Sequence, residues 1–281
     1  MTTGTALLIA ATQTLRAAGV NDPARDARVL LAHALGIDRS RLTLALPDEV
    51  AQEAEAVFAA SINARTARQP VAQIIGKRAF YGRDFYVTSD VLDPRPDTER
   101  LVETALDHPF DTVVDLGCGS GCILLTLLAE RPLATGQGVD ISAPALGVAQ
   151  KNASQLALTD RAAFLEGSWF DPLAKAEPVD LIVSNPPYIS EAEMRALAPE
   201  LRDWEPHVAL TPGGDGLAAF RIIVAQAPDF LRPKGRLIVE IGATQGRAVS
   251  GLFESAGFQS VRVVQDLTGH DRVVTGFWQG S

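Results

Sequence analysis

Apolar positions in the first part of the chain recur with a helical period. Leu8, Ala11, Leu15 and Ala18 fall on one face, and Asp22-Pro23 reads as the cap and first residue of a second helix ending near Gly36. Asp48 is expected to open a third helix, with Val50, Ala54, Val57, Phe58 and Ile62 sharing its buried face. From Gly76 the period changes. Phe80-Tyr81 and Phe85-Tyr86-Val87 flank Gly82 as in a β-hairpin, and Pro94 and Pro96 stiffen the exit into a semi-rigid bridge. Strand patterns near Thr112, Gly136, Ala163, Asp180 and Gly235 then alternate with helical stretches, which predicts an α/β fold with a mostly parallel sheet covered on both faces. The segments 260–265 and 272–277, separated by a Gly-containing turn, predict a closing antiparallel hairpin. The expected organisation is a helical domain over residues 1–73, a hairpin linker over 74–98 and an α/β domain over 99–281.

Two places in the α/β part carry chemistry. The run from Asp111 to Leu116 enters a turn made of Gly117, Cys118, Gly119, Ser120 and Gly121, after which Ile123, Leu124, Leu125, Leu127 and Leu128 continue as a buried helix. The spacing G-x-G-x-G departs from the dinucleotide pattern, and no Lys-Ser/Thr pair follows to cradle phosphate. About 20 residues on, a strand ends in Asp140, where a carboxylate can accept from both hydroxyls of a ribose. Together these features point to a nucleoside without pyrophosphate. The second place is Asn185-Pro186-Pro187-Tyr188, directly after the apolar run Leu181-Ile182-Val183. Asn185 Oδ1 and the Pro186 carbonyl can each accept a hydrogen from a planar –NH2 group, and Tyr188 can lie against its face. A Pro-Pro turn after a buried strand is the plainer reading of the same residues. Trp169, after the third strand, is a candidate cover for a base or a core aromatic.

These motifs carry a resemblance. D-L-G-C-G-S-G, V-D-I-S and N-P-P-Y, in this order, resemble a class I S-adenosylmethionine-dependent methyltransferase acting on an amino group. The segments 91–99, Trp169-Phe170, Trp204-Glu205-Pro206, 213–217 and Val239-Glu240-Ile241-Gly242 narrow the resemblance to the peptide chain release factor glutamine N5-methyltransferases of the HemK/PrmC type. It implies a seven-stranded Rossmann-like sheet. It also implies S-adenosyl-L-methionine as methyl donor, S-adenosyl-L-homocysteine as product, and the amide nitrogen of a Gly-Gly-Gln glutamine in a release factor as acceptor. On this resemblance Gly117, Cys118, Gly119, Ser120, Gly121, Asp140, Trp169 and Asn185 bind the cofactor, while Asn185, Pro186, Pro187 and Tyr188 hold the glutamine, with Asn185, Pro186 and Tyr188 catalytic. The helical domain docks the protein substrate. Asp93 and Asp97 depart from the family pattern, the first replacing an apolar residue and the second a Glu. A ribosomal-protein glutamine, an amino group of nucleic acid, or cofactor binding without catalysis are the competing readings.

Composition trims these alternatives. A length of 281 residues accommodates a full α/β core and a small helical module, and 47% hydrophobic with 21% charged residues is ordinary for a globular protein. The net charge of −9 argues against a protein that grips long nucleic acid by its phosphates. Cys118 and Cys122, the only cysteines, sit in or beside the glycine turn, and His33, His108, His207 and His270 are scattered singly, so no metal is expected. The start lacks a basic leader and no apolar run reaches spanning length, which places the chain, expected to be a monomer, in the cytoplasm and off the membrane. Arg65, Arg68, Lys77, Arg78 and Arg83 form a basic stretch that reads as either a solvated face or a partner-docking surface.

Overall fold

The computed structural model describes residues 2–173 and 177–280. By its internal contacts the chain divides into two units: a helical one up to Lys77, which also includes Ala198–Trp204, and an α/β one formed by the remainder.

In the helical unit, Gly4–Ala17, Pro23–Ala34 and Gln52–Thr66 pack around Leu15, Leu30, Leu31, Phe58 and Ile62. Thr3 and Asp22 cap the first two helices through their side chains, accepting from the Ala6 and Arg25 N–H groups. Asp48 does not cap the third. Its carbonyl accepts from the Gly4 N–H at 3.1 Å, Val50 N–H donates to Thr2 O at 3.0 Å, and the helix begins only at Gln52. The N-terminal segment has thus captured the backbone around Asp48 that the cap would have used. Val57 is 46% exposed although its neighbour Phe58 is buried, because adjacent helical residues point about 100° apart.

The basic stretch also resolves. Arg65 is only 6% exposed, with Nε donating to Asp26 Oδ2 at 2.7 Å and Nη2 to Glu200 Oε1 at 3.0 Å. Arg68 Nη2 donates to the other oxygen of Glu200 at 2.8 Å. Burial opposes the charge of Glu200, but the hydrogen bonds from Arg68 and Arg65 outweigh it and hold its carboxyl below the usual range. These two arginines are therefore internal ties of the helical unit and neither a solvated nor a docking face.

Among the described residues, β1 (Lys77–Phe80) and β2 (Arg83–Tyr86) form a two-stranded ribbon, and seven strands form the main sheet. These are β3 (Thr112–Leu116), β4 (Thr135–Asp140), β5 (Ala162–Glu166), β6 (Val179–Ser184), β7 (Leu231–Glu240), β8 (Gln259–Gln265) and β9 (Asp271–Phe277), in the order β5-β4-β3-β6-β7-β9-β8. All pairs are parallel except those of β9 with β7 and β8. The central strands are apolar on both faces because both are covered. Val113, Leu181, Val183 and Ile238 pack with the helices Glu99–Leu106 and Cys122–Glu130, whereas Val114, Ile182, Leu237 and Val239 pack with Ala218–Gln226 and Gly246–Ser255. Gly136 lets the first layer sit close. A Cβ there would lie 2.6 Å from Leu124 Cδ1 and 2.9 Å from the Val113 carbonyl. The chain leaves β3 toward β4 and returns on the other side as β6, so the strand order reverses at β3, the place where open α/β sheets bind ligands.

Arg65→Ala is expected to strip Asp26 and Glu200 of a largely buried partner and to destabilise the helical unit by roughly 3 kcal/mol. Denaturant titration against Arg39→Ala, an exposed control, measures this. Equal midpoints for the two variants would make the Arg65 pairs energetically idle.

Candidate active site

β3 ends at Leu116, and the chain turns through Gly117, Cys118, Gly119, Ser120 and Gly121 into the helix Cys122–Glu130. The three glycines have φ of 72°, 52° and 76°. Gly117 and Cys118 N–H both donate to the Val139 carbonyl, at 2.8 and 3.0 Å, so the turn leans on the end of β4. One residue further, Gly119 N–H donates to Asp140 Oδ2 at 2.8 Å and Ser142 N–H to Oδ1 at 2.9 Å. The Asp140 carboxylate is thereby fixed, with lone pairs remaining on both oxygens. A Cβ on Gly119 would meet nothing within 4 Å, so the tip of the turn faces open space. Cys118 and Cys122 are buried free thiols. Burial pushes Cys122 up to about 12 and Cys118 well above the usual thiol range, which leaves them inert packing groups.

Beside β3, β6 ends at Ser184, whose hydroxyl donates to the Leu116 carbonyl at 2.6 Å. Asn185 follows. A cavity of about 350 Å³ lies at these strand ends, walled by Gly117, Gly119, Asp140, Trp169, Thr98 and Asn185. Cys118, Ser120 and Pro187 also reach its wall; Gly121, Pro186 and Tyr188 lie outside it. Trp169 adopts a φ of 48°, and its Cζ3 stands 3.9 Å from where a Gly117 Cβ would be. Ile141, Val208 and Ile222 complete an apolar border, at 60%, 55% and 40% exposure. The sequence reading did not single out these three.

Behind Asn185 lies a set of groups that the sequence reading also left without roles. Asn185 Nδ2 donates to Thr98 Oγ1 at 3.3 Å. Tyr188 does not stand free: its hydroxyl donates to Glu240 Oε1 at 3.3 Å. Glu240 ends β7, is 1% exposed, and its Oε2 has no hydrogen-bond partner among the described residues. Arg272, on β9, pairs with Asp97 at 3.3 Å and Asp266 at 3.1 Å. Asp97 thus serves as an ion-pair partner from the short helical turn that carries Thr98. Asp93 is buried, with its N–H donating to Glu205 Oε2 at 3.2 Å and Arg78 3.6 Å from Oδ2. Glu240 had a legible signal, an acid closing an apolar strand run, the same one that drew attention to Asp140.

Comparison with known proteins adds lineage to this geometry. Residues 6–76 match the family model described as the PrmC N-terminal domain, and residues 90–215 match the methyltransferase small domain. A release factor glutamine methyltransferase of Cereibacter sphaeroides is 59% identical over 95% of this chain and 96% of that protein. One of Rhodospirillum rubrum is 46% identical over 92% and 80%. Among solved structures, a methyltransferase from Pyrococcus furiosus superposes with a TM-score of 0.55 at 14% identity, over 79% of this chain and 98% of that one. A 16S rRNA N2 G1207 methyltransferase from T. thermophilus, in complex with AdoMet and guanosine, gives 0.52 at 20% identity over 72% and 49%. At such identities the structural likeness shows the fold alone.

The acids around the site are held at a cost. Burial raises Asp115 to about 7 against a single hydrogen bond from Leu124 N–H. Burial likewise raises Glu240 to about 7 despite Thr98 and Arg272, and Glu205 to about 7 with help from the charge of Asp93. Each folded acid prefers its proton more than the unfolded one does, so its contribution is full below the ordinary carboxylate range and is lost as pH rises through about 7. Asp180 and Glu200 run the other way. Burial works against their charge, but hydrogen bonds hold them low, and their contribution is lost as pH falls through the acid range. Stability is therefore expected to peak on the acid side of neutrality and to decline toward pH 8, with a shallower decline in Glu240→Gln. Denaturant midpoints measured from pH 4 to 8 check this, and a maximum above pH 7 would contradict it.

Proposed function

The chain belongs to the release factor glutamine methyltransferases, and from that premise we propose that it methylates the side-chain amide nitrogen, N5, of a glutamine in a peptide chain release factor, with S-adenosyl-L-methionine as donor. The observation that carries the reading is the placement of Asn185 and Asp140 on the wall of one cavity, with Asn185 Nδ2 committed to Thr98. Its Oδ1 is then the end available to an incoming amide.

The residues present fit the cofactor. The cavity volume lies in the range of small-molecule sites, the open tip at Gly119 allows backbone approach, and Asp140 retains acceptor capacity for ribose hydroxyls. Trp169 and Ile141 offer apolar surface for a base. When bound, S-adenosyl-L-methionine supplies a methyl group activated by a sulfonium. Everything else falls to the chain. A glutamine amide nitrogen is a weak nucleophile because its lone pair is delocalised into the carbonyl. Asn185 Oδ1, on the cavity wall, accepts one of its hydrogens, turns the lone pair toward the methyl carbon and favours charge building on nitrogen. No strong base is needed. The nitrogen becomes a strong acid as its fourth bond forms, and the surplus proton leaves from the Asn185 side to water. Pro187 stiffens the corner, and Tyr188 supports it from outside the wall.

The partner is a protein segment. Val208 and Ile222 give the cavity an exposed apolar border suited to a glycine-flanked loop, and residues 1–73 serve as the docking domain, since their helices carry no catalytic constellation. The net charge of −9 speaks against a nucleic-acid substrate. The chain is read as a monomer acting in the cytoplasm, where release factors work. No helix among the described residues is long and apolar enough to cross a membrane.

Asn185→Ala is expected to lower turnover by roughly two to three orders of magnitude while sparing cofactor binding, by analogy with the loss of one preorganised hydrogen-bonding group around a reacting centre. The assay is transfer of labelled methyl to a release factor, with a glutamine-to-alanine partner as control. Wild-type turnover, or label on the control, would overturn this reading of the corner.

Asp140→Ala is expected to act on binding instead, costing on the order of 2 to 3 kcal/mol of cofactor affinity through its lost charge-assisted hydrogen bonds. Calorimetric titration reads this directly. An unchanged dissociation constant would remove Asp140 from the cofactor site.

A further inference from the structure

A glutamine side chain has two ends of nearly equal shape, and its neighbours decide which way it faces. At Gln245 they leave one answer. Its Oε1 stands 2.9 Å from the Gly242 N–H, which can only donate, and its Nε2 stands 2.9 Å from the Tyr188 carbonyl, which can only accept. Gly242 and Gln245 lie just after β7, whereas Tyr188 closes the Asn-Pro-Pro-Tyr corner. We propose that Gln245 is a positioning residue of the methyl transfer: by holding the Tyr188 carbonyl, it fixes where the Asn185 amide stands in the cavity. This rests on the reading of Asn185 as the amide acceptor.

The corner has to be held at its ends because its middle offers no donor. Pro186 and Pro187 lack an N–H, so neither can be tied down through one. Upstream, the Ser184 hydroxyl is tied to the Leu116 carbonyl at 2.6 Å. Downstream the tie is Gln245. Between the two, fixed proline φ angles make a stiff spacer, and Pro187 confines Pro186 to extended backbone, so a displacement at Tyr188 passes on to Asn185 with little damping. A misplacement of about 1 Å at a reacting group can cost roughly a hundredfold in rate.

Two glycines make room for this bond. A Cβ on Gly242 would lie 3.1 Å from Gln245 Oε1 and 3.5 Å from Tyr188 Cδ2, so the amide and the ring both pack over it. Gly216, with a φ of 77°, closes in from another loop: a Cβ there would collide with the Tyr188 carbonyl oxygen and stand 3.1 Å from Gln245 Nε2. The segments 213–217 and 239–242, far apart in sequence, thus meet around one hydrogen bond. Gln245 also stands at the position before the helix Gly246–Ser255, yet its side chain does not cap that helix. Its bond to Tyr188 is therefore no by-product of ending a helix. The Tyr188 hydroxyl, 3.3 Å from Glu240 Oε1, anchors the tip of the ring, while Gln245 anchors the backbone.

Gln245→Glu keeps the length and the acceptor for Gly242 but sets an oxygen against the Tyr188 carbonyl, and Gln245→Met keeps the bulk without either hydrogen bond. In both, turnover on a release factor is expected to fall roughly ten- to a hundredfold, with the partner's KM and the cofactor Kd, measured by calorimetry, within about threefold of wild type. The double variant gives the sharper readout. Because Gln245 acts through residue 185, Gln245→Glu placed on Asn185→Ala should slow single-turnover transfer by less than about twofold further, whereas independent roles would multiply. Multiplied losses, or a cofactor Kd weakened as much as kcat falls, would overturn the proposal. So would wild-type kcat in both Gln245 variants beside a slow Asn185→Ala, a result that leaves the Asn185 reading standing. Wild-type kcat in Asn185→Ala would remove both.

Discussion

The site depends on the parallel pairing of β3 with β6. These strands are separated by two others in sequence, and their adjacency is what sets the glycine turn beside the Asn185 corner. The register places Leu116 opposite Ser184, and the fully buried Ser184 hydroxyl closes on the Leu116 carbonyl at 2.6 Å. A slip of one residue would turn every side chain of β6 to the opposite face, exchanging Leu181 and Val183 with Ile182 between the two cores. The apolar cost of that exchange protects the register, and the serine hydroxyl fixes the strand end where hydrophobic packing stops. From this pair outward, β4 brings Asp140 to the turn on one side and β7 brings Glu240 behind Asn185 on the other.

The placement of acids follows from the same geometry. Strands buried on both faces deliver their last residues to a place that is partly enclosed, so a carboxyl at a strand end meets little water. Asp140 receives a backbone N–H from the turn and another from Ser142, and it borders the cavity. Glu240 and Asp115 are enclosed: each has an oxygen without a hydrogen-bond partner among the described residues, and each is driven upward by burial. Buried, imperfectly satisfied acids of this sort destabilise a fold, and they lie on or beside the strands whose ends carry the cavity.

What could be read in the sequence was what is encoded locally. The glycine turn, the strand-ending Asp140 and the Asn-Pro-Pro-Tyr corner each announce themselves within a few residues, and the apolar runs place them on strand ends of a covered sheet. The misreadings are equally instructive, since each has a partner far away in sequence. Arg65 and Arg68 read as a surface because Glu200, which neutralises both, lies more than 130 residues along the chain. Asp48 read as a cap because nothing nearby shows that residues 2–4 will take up its backbone and that of Val50. The partner of the Tyr188 hydroxyl was equally hidden, because Glu240 arrives with β7. Pairings made by tertiary structure leave no local trace.

The network behind the corner also explains why residue 185 is an asparagine when a carboxylate would seem the better acceptor. An aspartate would present two acceptors and no donor to Thr98. The Thr98 hydroxyl, which now accepts from Asn185, would have to turn its hydrogen toward that carboxylate, and the corner would carry a negative charge. An asparagine avoids this. Its –NH2 donates to Thr98, and its carbonyl is then left, uncharged, for the nitrogen to be methylated. Both halves of one side-chain amide are used, the inner one for orientation and the outer one for reaction, and neither a carboxylate nor a hydroxyl can serve both.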